Sequence, residues 1–563
     1  MNRSYVKSGF VITSWDLLKP YFDELLARPL TNAETLKQWL KDYSELGAVI
    51  SEDMAWRYIK MTCDTSNQAL RDRYNDFVQN IDPHMAPLAN EMNKKIMACP
   101  FRSELKEEGY AIYLRGIANS IELFREENIP LQTQLQELEQ QFGAINGDQS
   151  ITYQGETMTL QKASVFLKDL NREIREEVYY LVQNRREQDE EKLNDLFTQL
   201  IGVRNQIAKN AGFDNYRDYK HRSLARFDYS VQDCLNFHES VKQHAVPLID
   251  AHDAVRKQKL KLDTYRPWDT SVDEDGLPPL RPFGSARELI EKTIECFNRL
   301  DPFFGTCVRT MDEMGRLDLE SRLGKAPGGY QYPLYETDVP FIFMNSVGLH
   351  RDLTTMVHEG GHAIHSFLYR DQDLVEFKSP PSEVAELASM SMELLSMEHW
   401  DVFFKNPEEL RRAKKQQLES VMDTLPWIAT IDKFQHWIYL HPEHTLDERY
   451  AAWRTIMAEF GSHVVDFTGI ENHLNRRWQV QLHLFEVPFY YIEYGFAQLG
   501  AIAVWRNYKL QPEKAIQHYK EALALGYTRS IPEIYAAAGI KFDFSPAYIK
   551  DLMEFVKKEY DAL

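Results

Sequence analysis

The sequence predicts a mainly α-helical protein with a small β component. Three observations predict it. Apolar residues recur at three- and four-residue spacings among charged ones along most of the chain, as amphipathic helices require. Only two short stretches break into alternating or glycine-bounded β-like patterns. Hydrophobic residues make up 44% of the 563, with 30 Phe, 29 Tyr and 10 Trp, so the chain can bury a large core and is not disordered.

Helical spacing runs from Asn32 to Val78, then over Leu131–Phe142 and Leu160–Leu200. Within the last stretch Arg172, Glu173, Arg175, Glu176 and Glu177 read as a solvated face with ion pairs. Ser150–Leu160 alternates around Gln154-Gly155 and reads as a small hairpin. Asp263–Gly284 carries Pro267, Pro278, Pro279 and Pro282 and reads as a loop. Inside it, Asp273-Glu274-Asp275-Gly276 lacks the alternating ligands and terminal Glu of a calcium loop, which leaves an acidic turn. Gly324–Gly348 changes character: Pro327-Gly328-Gly329-Tyr330, then Pro340-Phe341-Ile342-Phe343-Met344-Asn345, read as one or two short strands. Helices then return, and Pro512–Leu563 has helix-pair character without an internal repeat. The expected division is an N-terminal helical lobe over 1–200, hairpin included, and a second region over 201–563.

The formal net charge is −20, and no basic patch is concentrated anywhere, which argues against a nucleic-acid partner. Cys63, Cys99, Cys234, Cys296 and Cys307 are odd in number, far apart and without a CxxC pair. That argues against a disulfide framework and against a cysteine-based zinc site; reduced structural thiols in the cytoplasm are the expectation. Met1–Leu30 lacks a continuous apolar region, and no stretch approaches the ~18 apolar residues of a membrane span. Neither a signal peptide nor a membrane partner is expected.

His358-Glu359-Gly360-Gly361-His362 spells HExxH. Residues four apart on a helix stand one turn above each other, so two imidazoles can share one tetrahedral Zn²⁺. Glu359 is then placed to contact the metal-bound water, take its proton and pass it to a leaving amine. With 17 His, composition alone would produce such a motif in roughly one chain of this kind in twenty, so context decides. Leu353, Met356, Val357, Ala363, Ile364, Phe367 and Leu368 give the stretch a strong helical pattern. Two glycines mid-helix cost about 1 kcal/mol each against alanine, and close approach of another element or a substrate explains them. Zinc needs a third protein ligand and an open position. His365 would sit a full turn beyond His362 and reads as a packing or supporting residue. The metzincin pattern is absent, because residue 368 is Leu. Pro381-Ser382 should start the next helix, punctuated by Glu383, Glu386 and Glu393. Glu383 suits the helix start. Glu386 has the most apolar neighbours, and a buried carboxylate needs a cation. Glu393 is either an orienting partner for a histidine or a paired core acid. Later, His483 and Tyr490, Tyr491 and Tyr494 fall within twelve residues, with Tyr491 and Tyr494 on one helix face. Such donors could stabilise an oxyanion, or could form an aromatic core.

The run FIFMNSVGLHRDLTTMVHEGGHAIHSF with SPPSEVAELASMSMELL resembles the thimet-oligopeptidase family of zinc metallopeptidases, in its oligoendopeptidase F and Pz-peptidase branch. The resemblance is clearest from about Gly324 to Tyr494. It implies one Zn²⁺ held by His358, His362 and Glu386, Glu359 as the base, and His483, Tyr491 and Tyr494 as catalytic donors, with the choice between Tyr490 and Tyr491 open. It also implies a two-lobed helical ellipsoid with a deep substrate channel and a small β-sheet beside the HExxH helix, making 201–563 the catalytic region. The activity implied is an endopeptidase acting on short unfolded peptides. The alternatives are a peptidyl-dipeptidase releasing C-terminal dipeptides and a non-catalytic helical peptide-binding protein.

Overall fold

Helix ends in this protein are set by side chains the sequence places at the right offsets. Asn32 accepts from the backbone of Thr35 and receives that side chain in return, starting the 31-residue helix Ala33–Cys63. Ser230 with Asp233, and Thr445 with Glu448, do the same for Val231–His244 and Leu446–Phe460. In this computed structural model, which describes residues 3–322, 324–326 and 328–563, helices carry most of the chain and strands very little. Pro327 of the Pro-Gly-Gly run lies outside the described residues. Among the described residues, no helix is long and apolar enough to cross a membrane.

The hairpin stands where the alternation placed it. β1 (Ser150–Tyr153) pairs antiparallel with β2 (Glu156–Thr159), Tyr153 opposite Glu156. Gln154 and Gly155 both take positive φ, 51° and 79°, as a two-residue turn twisted like its strands demands. The second sheet has three strands in the order β3-β5-β4: β3 is Leu317–Glu320, β4 Tyr330–Tyr332 and β5 Phe341–Ser346. Central β5 is buried along nearly its whole length, which explains its unbroken apolar run. β3 pairs parallel to it; Leu-Asp-Leu-Glu is too short and charged to stand out as a strand in the sequence.

The expected boundary at residue 200 does not coincide with the compact units. One unit comprises residues 1–122, 280–417 and 496–542, and the other 123–279, 418–495 and 543–563. The first is centred on Trp39, Phe22, Leu36 and Phe377 and contains the three-stranded sheet. The second contains the hairpin and a core in which Phe142 stacks on Phe485 at 4.3 Å. In that second unit the charged helix Arg172–Glu187 departs from its solvated reading. Arg175 is buried, its guanidinium 2.8 Å from the fully buried Asp269, which Arg172 also pairs at 2.8 Å. Asp269 lies in the proline-rich loop, so two arginines of the helix face bind the loop down. In the same loop the Asp273 carboxylate accepts from the backbone of Asp275 and Leu277, closing an acidic turn.

Candidate metal centre

β5 delivers the chain to the central helix. Gly348 turns it at φ +88°, where a β-carbon would stand 3.0 Å from the Phe283 carbonyl. The helix His350–Tyr369 follows, started by Asp352, whose carboxylate accepts from the backbone of Val347 and Leu349 at 2.8 and 2.9 Å. An acid in the first turn also suits the positive end of the helix dipole.

On this helix His358 and His362 stand one turn apart, their rings 5.0 Å between centroids and nearly perpendicular. The second helix, Ser382–Met397, is set by Pro381 and carries Glu386 against both. Glu386 Oε2 lies 3.4 Å from His358 Nε2 and 3.5 Å from His362 Nε2. Zinc bonds of 2.0–2.1 Å in a tetrahedron place ligand atoms about 3.3 Å apart. Both carboxylate–imidazole separations match that span, all three ligand atoms lie within 4.8 Å of one another, and two imidazoles with a carboxylate are a donor set suited to a catalytic zinc. Glu386 is buried while the side chains of His358 and His362 keep 22% and 17% of their exposure, so the cluster is open on the histidine side.

The glycines explain how the helices come this close. A β-carbon on Gly361 would meet Ser389 Cα at 2.6 Å and the Ala388 carbonyl at 2.8 Å, and one on Gly360 would meet the Phe297 ring at 2.8 Å. Another element, not a ligand, occupies the space they leave. From the 496–542 stretch, the Tyr519 hydroxyl donates to the Ala388 carbonyl at 2.7 Å and the Tyr535 hydroxyl to the Glu383 carbonyl at 3.0 Å. These bonds brace the helix that presents Glu386.

A relay of hydrogen bonds orients the candidate ligands. His358 Nδ1 is 2.7 Å from Glu393 Oε1, and Gln417 donates to Glu393 Oε2 at 2.8 Å. Ser389 donates to Glu386 Oε2 at 2.9 Å. Of the two readings of Glu393, the orienting one matches its position. Ser389 and Gln417 carry no signal in the sequence; only helical offset from Glu386 could have pointed to Ser389.

Electrostatics follow burial and pairing. Burial works against the charge of His358, but Glu386 and Glu393 outweigh it and hold the imidazole well above its usual range. Burial likewise opposes ionisation of Glu386, yet the two imidazoles keep it well below the carboxylate range. Carboxylates that draw a proton onto His358 offer the same attraction to a dication. Glu359, one residue on, is buried, and burial raises its carboxyl above the usual range. The backbone N–H of Gln331, on edge strand β4, works the other way and favours its charged form. His365 faces Tyr369 at 5.0 Å, burial pushes it down to about 3, and it is not part of the metal cluster.

In the second unit, His483 and the three tyrosines gather into one cluster. His483 is 4.8 Å from Tyr491 and 5.9 Å from Tyr494 between ring centroids, and 6.1 Å from Tyr490. Trp427 donates to Gln481, whose amide is 2.7 Å from His483 Nδ1, fixing the imidazole from behind. Burial pushes the Tyr491 phenol up to about 12, so it remains a donor at neutral pH.

The model of Peptidase family M3 matches residues 165–554, and that of the Peptidase M3 N-terminal domain matches residues 9–124. Oligopeptidase PepF of Bacillus subtilis is 22% identical over 415 residues, 71% of this chain. The match spans 58% of that relative's own length. A solved structure of Pz peptidase A with an inhibitor is similar with a TM-score of 0.90 at 25% identity, covering 97% of each chain. One of a putative oligoendopeptidase F is similar with a TM-score of 0.91 at 25% identity, covering 99% of this chain and 98% of the other.

Proposed function

This chain belongs to Peptidase family M3, and from that premise we propose that it is a zinc-dependent endopeptidase hydrolysing internal bonds of short, unfolded peptides. The observation that carries the reading is the convergence of His358, His362 and Glu386 at 3.4 and 3.5 Å, with Glu359 buried beside them. These three residues would hold one Zn²⁺. When bound, the ion supplies a Lewis acid that polarises a carbonyl and lowers the pKa of water to about 7. Glu359, its basicity raised by burial, takes a proton from the attacking water and delivers it to the leaving amine. The N–H of Gln331 favours the charged form of that carboxylate. Glu393, with Gln417 behind it, fixes the His358 tautomer that presents Nε2. Gln331 also sets the outer edge of β4 toward Glu359, and an extended peptide aligned on that edge would bring its backbone to the base. His483, Tyr491 and Tyr494 are assigned as donors to the oxyanion, a role supported by their clustering and by the protonated state of Tyr491.

The test is Glu359→Gln on internally quenched peptides of graded length, with blocked and free ends. Zinc content should remain at the wild-type level while turnover falls roughly 10²–10⁴-fold. A variant that cleaves at the normal rate overturns the assignment of the base. Release of dipeptides only from free C-termini would make the enzyme a peptidyl-dipeptidase.

A further inference from the structure

Arg186, Arg266, Arg476 and Arg477 gather around Tyr179 and its helix in the second unit. Arg266 pairs with Asp466 at 3.3 Å, and Arg476 with Glu190 at 3.1 Å and Glu187 at 3.4 Å. Among the described residues, neither Arg186 nor Arg477 has a carboxylate partner. Burial lowers the Arg186 guanidinium, Tyr179 partly offsets this, and Arg476 and Arg477 lower it further. Arg186 Nε is buried without a hydrogen-bond partner. Tyr179 supplies no charge to balance them: burial raises its phenol to about 12 against the pull of Arg477 and Arg186, so it is neutral. The chain holds 85 Asp and Glu against 65 Lys and Arg. Where acids are in such excess, two neighbouring guanidiniums without one mark a place for an anion from outside the chain.

The surroundings of Arg477 indicate which anion. Its side chain is exposed to solvent, yet the protein around it lowers its guanidinium. A side chain that is both wet and desolvated lines a recess rather than a convex face. The guanidinium lies 5.2 Å over the Trp427 ring. The Trp427 indole donates to Gln481 Oε1 at 3.0 Å, and the Gln481 amide is 2.7 Å from His483 Nδ1. Arg477 thus stands one indole and one amide away from the histidine assigned above as an oxyanion donor. A peptide whose reacting carbonyl lies at His483 has these arginines within a few residues of extended chain. Every peptide with a free end carries a carboxylate there, and the planar guanidinium matches it with two parallel N–H donors.

We propose that Arg477 and Arg186, with the neutral Tyr179 hydroxyl beside them, bind the C-terminal carboxylate of the peptide substrate. The proposal rests on the peptidase reading and adds to it the end of the peptide that is recognised. The carboxylate relieves the repulsion between the two guanidiniums, which their own chain leaves unbalanced. Trp427, held by Gln481 and covered by Arg477, fixes the distance from this anchor to His483. The bond cut then lies a set number of residues before the carboxyl end. Preference for short peptides follows from reach, because a bond far from the end forgoes the anchor.

Peptides of one sequence, ending in a free acid or in an amide, test this on the full zinc-loaded chain. For wild type, kcat/KM should be roughly 10–100-fold higher for the acid, as loss of a hydrogen bond to a charged group implies. In Arg477→Gln and in Arg186→Gln that preference should collapse. Equal cleavage of acid and amide by wild type overturns the proposal even if neither variant folds, as does a preference that survives both substitutions. An amide ending in aspartate separates the two sources of a carboxylate. It should be cleaved like the neutral amide; cleavage equal to that of the acid would give the site to an acidic side chain and overturn the terminal assignment. Fluorescence anisotropy of labelled acid and amide on Glu359→Gln enzyme reads the same preference without turnover. Tighter binding of the acid with no cleavage by wild type would sink the peptidase reading alone. Cleavage without preference between acid and amide would sink this proposal alone.

Discussion

Replacing Gly361 by alanine should loosen the metal site without touching any ligand. A methyl group there would lie 2.6 Å from Ser389 Cα, 2.8 Å from the Ala388 carbonyl oxygen and 3.0 Å from Met392 Cβ. Ordinary contact begins at 3.4 Å, so the two helices must part by about 0.8 Å, and two of the three atoms met are backbone that no rotamer change can move. Alanine would recover about 1 kcal/mol of helix propensity, against about 1–3 kcal/mol for overpacking. The displacement falls on the helix that carries Glu386, whose 3.4 and 3.5 Å separations from the histidines are already at the span of a zinc tetrahedron. Zinc affinity, measured by competition with a chromogenic chelator, should fall roughly 10–100-fold, as it does when groups supporting a ligand are disturbed. Gly360→Ala is the control. Its methyl meets only the outer edge of the Phe297 ring, which can yield, so zinc affinity should change far less. Equal zinc affinity in wild type and Gly361→Ala, or a larger loss in Gly360→Ala, would refute the argument that interhelical distance sets the site.

The remaining predictions concern the surroundings of the ligands. Glu393→Ala removes the acceptor behind His358 and should lower zinc affinity by about 10–100-fold while leaving the helices in place, checked by the same competition and by circular dichroism. Tyr491→Phe should lower kcat about 10²–10³-fold with little change in KM; a larger loss in Tyr490→Phe would transfer the donor role to that residue. His365 is buried neutral, with its folded pKa near 3 against an ordinary 6.5. The unfolded state therefore binds the extra proton, and the stability His365 confers is present above pH 6.5 and is lost as pH falls from 6.5 toward 3. Replacing His365 by Phe should flatten that part of the acid-unfolding profile; an unchanged slope in calorimetry across that range would contradict it.

Much of this was legible in the chain itself, for reasons of locality. HExxH, the prolines and serine ahead of Glu386, and the Gln154-Gly155 turn are each encoded within a single element, where spacing determines geometry. The glycines at 360 and 361 announced a close approach, though not which element approached. What escaped were relations between distant stretches. Gln417 meets Glu393 from the neighbouring long helix, and β3 pairs with β5 past the intervening β4. Arg175 looked solvated until the loop holding Asp269 folded over it. The boundary at residue 200 shows the same limit, since composition changes along a chain while compactness does not follow its order.

The interleaving of the units has a consequence for synthesis. The candidate ligands His358, His362 and Glu386 and their support Gln417 all precede residue 418, yet their unit also includes 496–542, from which Tyr519 and Tyr535 hold the Glu386 helix. At about 5–20 residues per second, a ribosome needs roughly 8–30 s to travel from the last ligand to the end of that stretch. Through this interval His358, His362 and Glu386 are already made, while the tyrosines that brace the Glu386 helix are not. The spacing of the cluster is thus completed only when a segment made long after its candidate ligands is in place.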